Sequence, residues 1–186
     1  VGVIIGGHPH VVQPQEILTA PDGGRTVCLY SMGNAVSNQR IYRASIKTGH
    51  TEDGAVFTVT FEKYSDGAVY LQSVEALPTW VNMRTDGAKQ YNILPLDEEK
   101  EDQWAELFHL NDTMLSFAKK SMERTDSIVG AGMEKCRTYL EQQKADRDAY
   151  YQDLAIHPEK FAESTVPEET ASETAPETTA VTAPAA

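Results

Sequence analysis

The sequence lacks several features that define common classes of protein. Only two cysteines, Cys28 and Cys136, occur in 186 residues, which excludes a disulfide-stapled scaffold and leaves two free thiols as the expectation. No apolar run approaches the roughly 20 residues that a membrane-spanning helix requires. The 16 basic residues face 28 acidic ones, whereas proteins that bind nucleic acid or an anionic membrane need basic patches that replace counterions. We therefore expect no nucleic-acid partner.

The sequence also lacks the usual features of an N-terminus. Val1 is not a methionine, and no charged segment or cleavage pattern typical of a signal peptide is visible. Val1–Ile5 has the composition of a buried strand from its first residue onward. We expect the chain to be the C-terminal piece of a longer polypeptide, with any targeting signal upstream.

The acidic residues are unevenly spread. Residues 1–96 carry 8 acidic and 7 basic residues, residues 97–162 carry 15 and 9, and residues 163–186 carry 5 acidic residues and no base. The last segment consists only of Thr, Ala, Glu, Pro, Ser and Val. Because such a segment cannot bury enough apolar surface to offset the entropy of ordering, we expect a disordered tail there. A helical region is expected at 97–162.

Strand patterns dominate the first half of the chain. Phe57, Val59 and Phe61 alternate with polar residues, the period-2 pattern of a half-buried strand. Ser65-Asp66-Gly67 is a turn signal, and the apolar residues after it predict a returning strand and hence a hairpin. The other predicted strands are Val1–Ile5, Val11–Leu18, Thr26–Tyr30 and Tyr91–Leu94.

Helical spacing of apolar residues predicts two helices in the second half. The first begins at Asp97, a suitable N-cap, and ends near Arg124. Gly130 and Gly132 are expected to break the helical pattern. The second helix, Met133–Leu154, has a thinner apolar face, so we expect it to be peripheral.

The segment Gly6-Gly7-His8-Pro9-His10 carries the strongest chemical signal. Glycines let the backbone turn sharply and approach another group closely. In a loop that stays extended, residues two apart point the same way, so both imidazoles would reach one cavity. Neutral imidazole is a common ligand of zinc, iron and manganese. The competing interpretation is that the two histidines are polar turn residues.

The context of the histidines resembles a known family. The sequence VIIGGHPHVVQPQE at Val3–Glu16 resembles the segment that closes the metal site of the CapA-type capsule synthesis family. That family is similar to the calcineurin-like metallophosphoesterases, whose last motif is Gly-His-x-His. The resemblance continues through Leu29–Arg40, Thr51–Gly54 and Pro78–Asn82, and covers about residues 1–96. The sequence departs from the family at Ala35, where an aromatic residue is usual; this departure would widen the floor of the pocket.

The resemblance implies a fold and a cofactor. Residues 1–96 would be the C-terminal part of a four-layer α-β-β-α metallophosphoesterase-like sandwich, within an α/β fold class. His10 would bind the first and His8 the second of two divalent metal ions (Mn, Fe or Zn), which would hold phosphate oxygens and activate a bridging water. The family's other metal ligands lie upstream, so we expect an incomplete site and no hydrolase activity in this chain alone.

Weaker candidates surround the histidines. Asn34 would hydrogen-bond a ligand or, alternatively, occupy a left-handed turn position. Gln13 and Glu16 would orient the imidazole N–H groups, although an exposed strand position is the simpler interpretation of Glu16.

Charged residues farther along the chain have two interpretations each. Glu52 and Asp53 would face the pocket, or belong to an Asp-Gly turn. Arg40 and Arg43 would neutralise an anionic substrate, or be solvated loop charges; the second interpretation is favoured for all four residues.

The resemblance also implies a biological role. It links the chain to synthesis of a capsule, of poly-gamma-glutamate or of another surface polymer, on the bacterial cell surface or the extracellular side of the membrane, with the anchor outside this chain. The substrate would be a surface polymer or a phosphoester, and the membrane subunits of a capsule synthase are candidate partners. The alternative is a non-catalytic surface scaffold that keeps the fold. Intact upstream Asp-x-His, Gly-Asp-x-x-Asp and Gly-Asn-His motifs would favour the enzyme.

Overall fold

The structure is a computed structural model that describes residues 2–41, 47–84 and 87–160. Arg43 and the predicted disordered tail at 163–186 lie outside the described residues. The fold is α/β, with two three-stranded sheets and two α-helices. The chain divides into two compact units, Val1–Arg147 and Asp148–Ala186.

The first sheet contains β1 (Val3–Ile5), β2 (Gln15–Thr19) and β3 (Arg25–Leu29) in the order β1-β3-β2. β1 is parallel to β3, and β2 is antiparallel to it. The expectation of a buried first strand is wrong, because Ile4 and Ile5 are 45% and 50% exposed. The physical reason is that β1 is an edge strand, which pairs within the described residues with β3 alone.

The second sheet confirms the predicted hairpin. β4 (Asp53–Lys63) pairs antiparallel with β5 (Val69–Arg84), and β5 pairs with β6 (Gln90–Pro95). The predicted short strand near Tyr91 is therefore confirmed as β6. Asp53-Gly54 begins β4, so the favoured interpretation of this pair as a turn is wrong.

The helical half departs from the expected boundaries. Asp97 caps a 3₁₀ segment, Glu98–Gln103, by accepting a hydrogen bond from the backbone N–H of Glu99. A short helix, α1 (Trp104–Leu107), ends before His109, whose φ of 53° is left-handed. The helix expected from Asp97 to Arg124 is thus interrupted. Of the helices that the structure describes, none is long and apolar enough to cross a membrane.

A single helix, α2 (Asp112–Ile156), runs through both glycines that were expected to break it. A Cβ added at Gly132 would lie 2.5 Å from the carbonyl oxygen of Gln15 in β2, whereas one at Gly130 would meet nothing within 4 Å. Packing against β2 therefore outweighs the weak helix propensity of glycine, which costs about 1 kcal/mol relative to alanine. At Gly132 the helix backbone therefore lies close to the backbone of β2.

α2 contributes to two apolar clusters in the first unit. The larger cluster lies among the two sheets and the middle of α2, so the expectation of a peripheral helix after Gly132 is wrong. Its members are Val12, Val27, Leu29, Leu71, Val74, Val129, Met133, Cys136 and Leu140. The smaller cluster joins β5, β6 and α1 to the start of α2. Its members are Trp80, Leu94, Leu96, Trp104, Leu110 and Ala118. Both cysteines are free thiols, as expected, and burial raises the pKa of each.

A buried ion pair joins α2 to the first residue of β4. Asp53 is 1% exposed, and its carboxylate accepts hydrogen bonds from Arg124 Nε at 2.7 Å, from Arg124 Nη2 at 2.6 Å and from Ser121 Oγ at 2.6 Å. Burial by itself would lower the pKa of Arg124, but the hydrogen bonds and charge of Asp53 outweigh it, and the pKa is raised. The guanidinium therefore stays charged.

A second buried ion pair lies beside the first. Arg40 Nε is 3.3 Å from Glu52 Oε1, and both side chains are nearly inaccessible. Arg40 also donates to the carbonyl of Val81, while Trp80 Nε1 donates to Glu52 Oε2 at 3.1 Å. The favoured interpretation of Arg40 as a solvated loop charge is wrong, because its side chain is buried and donates to a backbone carbonyl of β5.

We predict opposite effects of alanine at the two helix glycines. Gly130→Ala should raise the free energy of unfolding by up to about 1 kcal/mol, because helix propensity improves without a contact. Gly132→Ala should lower it by about 1–3 kcal/mol, because the added methyl group overpacks the contact with Gln15. Urea unfolding followed by far-UV circular dichroism measures both. Equal effects of the two changes would contradict the close approach of α2 to β2.

We predict that Arg124→Met costs about 3–5 kcal/mol of stability, because it leaves the Asp53 carboxylate buried without its cation. Arg137→Met is the matched control on the same helix: Arg137 pairs with Glu134, both more than 60% exposed, and such surface pairs contribute about 0–1 kcal/mol. Denaturant titration of both variants tests the difference. A similar small loss in both would show that the buried pair does not hold α2 in place.

Candidate functional site

The histidine loop leaves the first sheet through a close backbone approach. The Gly6 N–H donates to the Leu29 carbonyl at 2.7 Å. A Cβ at Gly6 would lie 2.3 Å from the carbonyl oxygen of Tyr30, so only glycine fits there. Gly7 meets nothing within 4 Å. The predicted need for glycine is therefore confirmed at the first position only.

Both histidines of the loop adopt left-handed backbone conformations. The φ angle is 99° at His8 and 57° at His10, so the expectation of an extended loop is wrong. Such conformations cost non-glycine residues about 1–3 kcal/mol and cluster at functional sites. Both residues are exposed, so the apolar core does not account for this strain.

The Gly33-Asn34 loop lies between the histidine loop and β4. Gly33 has a φ of 83°, and a Cβ there would lie 2.6 Å from the carbonyl oxygen of Asp53 and 2.6 Å from Val12 Cγ2. The Asn34 N–H donates to the same Asp53 carbonyl at 2.9 Å. Gly33 therefore takes the left-handed position, and the interpretation of Asn34 as a left-handed turn residue is wrong.

The side chain of Asn34 meets His10. Asn34 is 1% exposed, and its Oδ1 lies 3.5 Å from His10 Nδ1, at the outer limit of a hydrogen bond. Its Nδ2 donates to the Thr51 carbonyl at 2.7 Å and to Ser37 Oγ at 2.8 Å. A carbonyl only accepts, so the Thr51 contact fixes which end of the amide carries the N–H groups. Oδ1 therefore faces His10.

This arrangement favours one proton position on His10. An amide oxygen can only accept, so Nδ1 of His10 carries the proton when the pair is hydrogen bonded. The neutral ring then has its lone pair on Nε2, which is the form that binds a metal or accepts a proton. Oxygen partners of this kind orient metal-ligating histidines. The amide oxygen of Asn34 thus lies next to Nδ1 of His10.

Glu16 and Gln13, the other two residues predicted to orient the imidazoles, contact other groups. Glu16 Oε2 accepts a hydrogen bond from the Tyr30 hydroxyl at 2.9 Å on the exposed side of the first sheet. This hydrogen bond raises the pKa of Tyr30, with burial and the charge of Glu16 adding to it. Gln13 pairs through its backbone, its N–H donating to the Ser31 carbonyl at 3.2 Å. In the part of the chain that the structure describes, neither side chain hydrogen-bonds to His8 or His10.

Sequence reasoning missed the two partners that hold the Asn34 amide. Thr51 contributes a backbone carbonyl, for which a sequence carries no signal. Ser37 lies three residues after Asn34, a short-range pairing of polar side chains that a search for local hydrogen bonds would have found. These two contacts are what fix Asn34 relative to His10.

An apolar cavity of about 280 Å³ adjoins Asn34. Its walls include Met32, Ala35, Val56 and Ile93. Because Ala35 is small, its side chain leaves this space open beside the amide.

The histidines do not by themselves complete a metal centre. Across residues 2–41, 47–84 and 87–160, no group of three or more His, Cys, Asp or Glu side chains is placed to hold a metal ion. Metal centres in proteins usually have at least three protein ligands. The loop can supply imidazole ligands, and further ligands would have to come from outside the described residues.

The comparisons with known proteins point to one family. Residues 1–39 match the family model described as bacterial capsule synthesis protein PGA_cap, which supports a protein related to capsule synthesis and suggests a role at the cell surface. The matched segment includes His8, His10 and Asn34. No curated protein and no solved structure matches the chain.

We predict that glycine is better tolerated than alanine at position 8. His8→Gly should be about 1 kcal/mol more stable than His8→Ala, because glycine adopts a positive φ without strain. Position 16 is the control, since Glu16 lies in the extended strand β2; there glycine should be less stable than alanine by about 0.5–1 kcal/mol. Thermal and urea unfolding measure both pairs. The same sign at both positions would argue against a left-handed residue 8.

Proposed function

We propose that the chain supplies two histidine ligands to a di-metal, phosphoesterase-like hydrolase site in a protein of capsule or surface-polymer synthesis. The observation that carries the proposal is a coincidence of sequence and geometry. The 39 residues that match the capsule synthesis family model contain His8 and His10, and also Asn34, whose Oδ1 lies 3.5 Å from Nδ1 of His10. A structural loop would need neither an oriented imidazole nor two strained histidines.

The donor set fits a divalent metal. His10 presents Nε2 with its lone pair when Asn34 accepts from Nδ1. His8 is exposed, so its imidazole is accessible as a second ligand. Bound metal ions would polarise phosphate oxygens and supply a hydroxide nucleophile at neutral pH. Mn, Fe and Zn all accept imidazole ligands.

The rest of the proposal concerns the larger protein. The two sheets would form the C-terminal part of a four-layer metallophosphoesterase-like sandwich, and the remaining metal ligands would come from a preceding part of the polypeptide. The substrate would be a surface polymer or a phosphoester, and partners would include capsule synthase subunits at the membrane. The match to a capsule synthesis family supports this placement at the bacterial cell surface.

Metal content of the full polypeptide that carries this chain tests the proposal. We expect His8→Ala and His10→Ala each to lower the bound divalent metal, measured by plasma mass spectrometry after dialysis. Asn34→Ala should weaken metal affinity roughly 10- to 100-fold, the usual effect of removing a group that orients a ligand. Imidazole ¹⁵N shifts of the metal-free protein should show His10 protonated on Nδ1 in the parent and altered in Asn34→Ala.

Two matched controls separate this effect from general damage. His157→Ala removes an exposed histidine that lies 3.4 Å from Glu159, and it should leave metal content unchanged. Ser37→Ala removes one hydrogen bond of Asn34 but not its oxygen contact with His10, so its metal affinity should fall much less. Unchanged metal in His8→Ala and His10→Ala would refute the ligand assignment and favour a non-catalytic surface scaffold.

A further inference from the structure

A small cavity lies at the end of the first sheet remote from the histidine loop. It has a volume of about 160 Å³ and is bounded by the start of β3, the start of β5 and α2. Arg25 begins β3, whereas the Gly33-Asn34 loop follows the other end of that strand. The polar residues of the wall are Arg25, Tyr70, Tyr139, Gln143 and Arg147.

Arg147 is held in the cavity wall with an unused donor. Its Nη2 donates to Gln72 Oε1 at 3.1 Å, and its Cζ lies 4.6 Å from the ring centroid of Tyr70. Its Nε is buried and has no hydrogen-bond partner. A buried donor without a partner costs about 1–3 kcal/mol, and more when the group is charged. The geometry therefore holds the guanidinium rigid while leaving one N–H unsatisfied.

A second guanidinium faces the same cavity. Arg25 lines the cavity and has its Cζ 5.5 Å from the ring centroid of Tyr139, within the range of a cation–π contact. None of the described residues that line the cavity is acidic, and neither arginine forms an ion pair with a described carboxylate. Arg25 is exposed and Arg147 is half-buried, so the cavity wall carries two positive charges in a chain with a net charge of -12.

We propose that this cavity binds a small oxyanion, a carboxylate or a phosphate group, between Arg25 and Arg147. A guanidinium presents several N–H donors in a fixed planar fork, which suits the oxygens of a carboxylate or a phosphate. Oxyanion binding in the cavity would neutralise the positive charges of Arg25 and Arg147. The volume suits a single small anionic group and is below that of the pockets which enclose drug-sized ligands. The site shares no residue with the proposed metal centre.

Isothermal titration calorimetry of the 186-residue chain at low ionic strength tests the site. Inorganic phosphate and glutarate are the two probes, and the probe that binds more tightly identifies which oxyanion the cavity prefers. We expect Arg147→Gln to weaken the tighter probe at least tenfold and Arg25→Gln to weaken it severalfold. Arg147→Lys keeps the charge but loses Nε and the planar fork, so it should also weaken binding severalfold.

Controls separate a site from general electrostatic attraction. Arg137→Gln removes an exposed arginine of the same helix, 2.6 Å from Glu134, and should bind the probes like the parent. Sodium chloride at matched ionic strength should not reproduce the heat. Circular dichroism checks that the Arg147 variants fold. Equal weakening in the Arg137 and Arg147 variants, or no binding of either probe by the parent, overturns the proposal without affecting the metal assignment.

Discussion

The architecture depends on Asp53, whose carboxylate and backbone carbonyl both accept hydrogen bonds from other parts of the chain. Its carboxylate binds Arg124 and Ser121 of α2, and its carbonyl accepts the N–H of Asn34. One residue at the start of β4 thus connects the long helix, the second sheet and the loop that orients His10. A carboxylate with 1% exposure is tolerable only while its cation and hydroxyl partners stay in place. The position of the imidazole is therefore linked to the position of α2 through Asp53 and Asn34.

The sequence predicted those elements whose formation is local. The alternation at Phe57, Val59 and Phe61 and the turn after it identify the β4–β5 hairpin, because period-2 burial is a property of the strand itself. The helix break expected at Gly130 and Gly132 does not occur, because the helix is also stabilised by contacts between residues distant in sequence. Glycine weakens an isolated helix, but Gly132 lies where α2 approaches the backbone of Gln15. That contact joins residues far apart in sequence, so no local pattern reports it.

The candidate site shows the same division between local and distant information. The spacing of His8 and His10 could be read as a ligand motif, and Asn34 could be proposed beside it. The orientation of the Asn34 amide could not be predicted, because it is fixed by the Thr51 carbonyl, 17 residues away. Likewise, Arg40 and Glu52 belong to residue types that are usually solvated. Their burial as an ion pair, with Trp80 donating to Glu52, is visible only in the structure.

The burial of both tryptophans has a practical consequence for spectroscopy. Trp80 and Trp104 are the only tryptophans in the chain, and both belong to the cluster at the start of α2, with exposures of 1% and 0%. Intrinsic fluorescence therefore reports on that cluster, and on the Glu52 carboxylate that Trp80 contacts, rather than on the first sheet. A mismatch between emission and circular dichroism during unfolding would thus reveal whether the two halves of the core melt together.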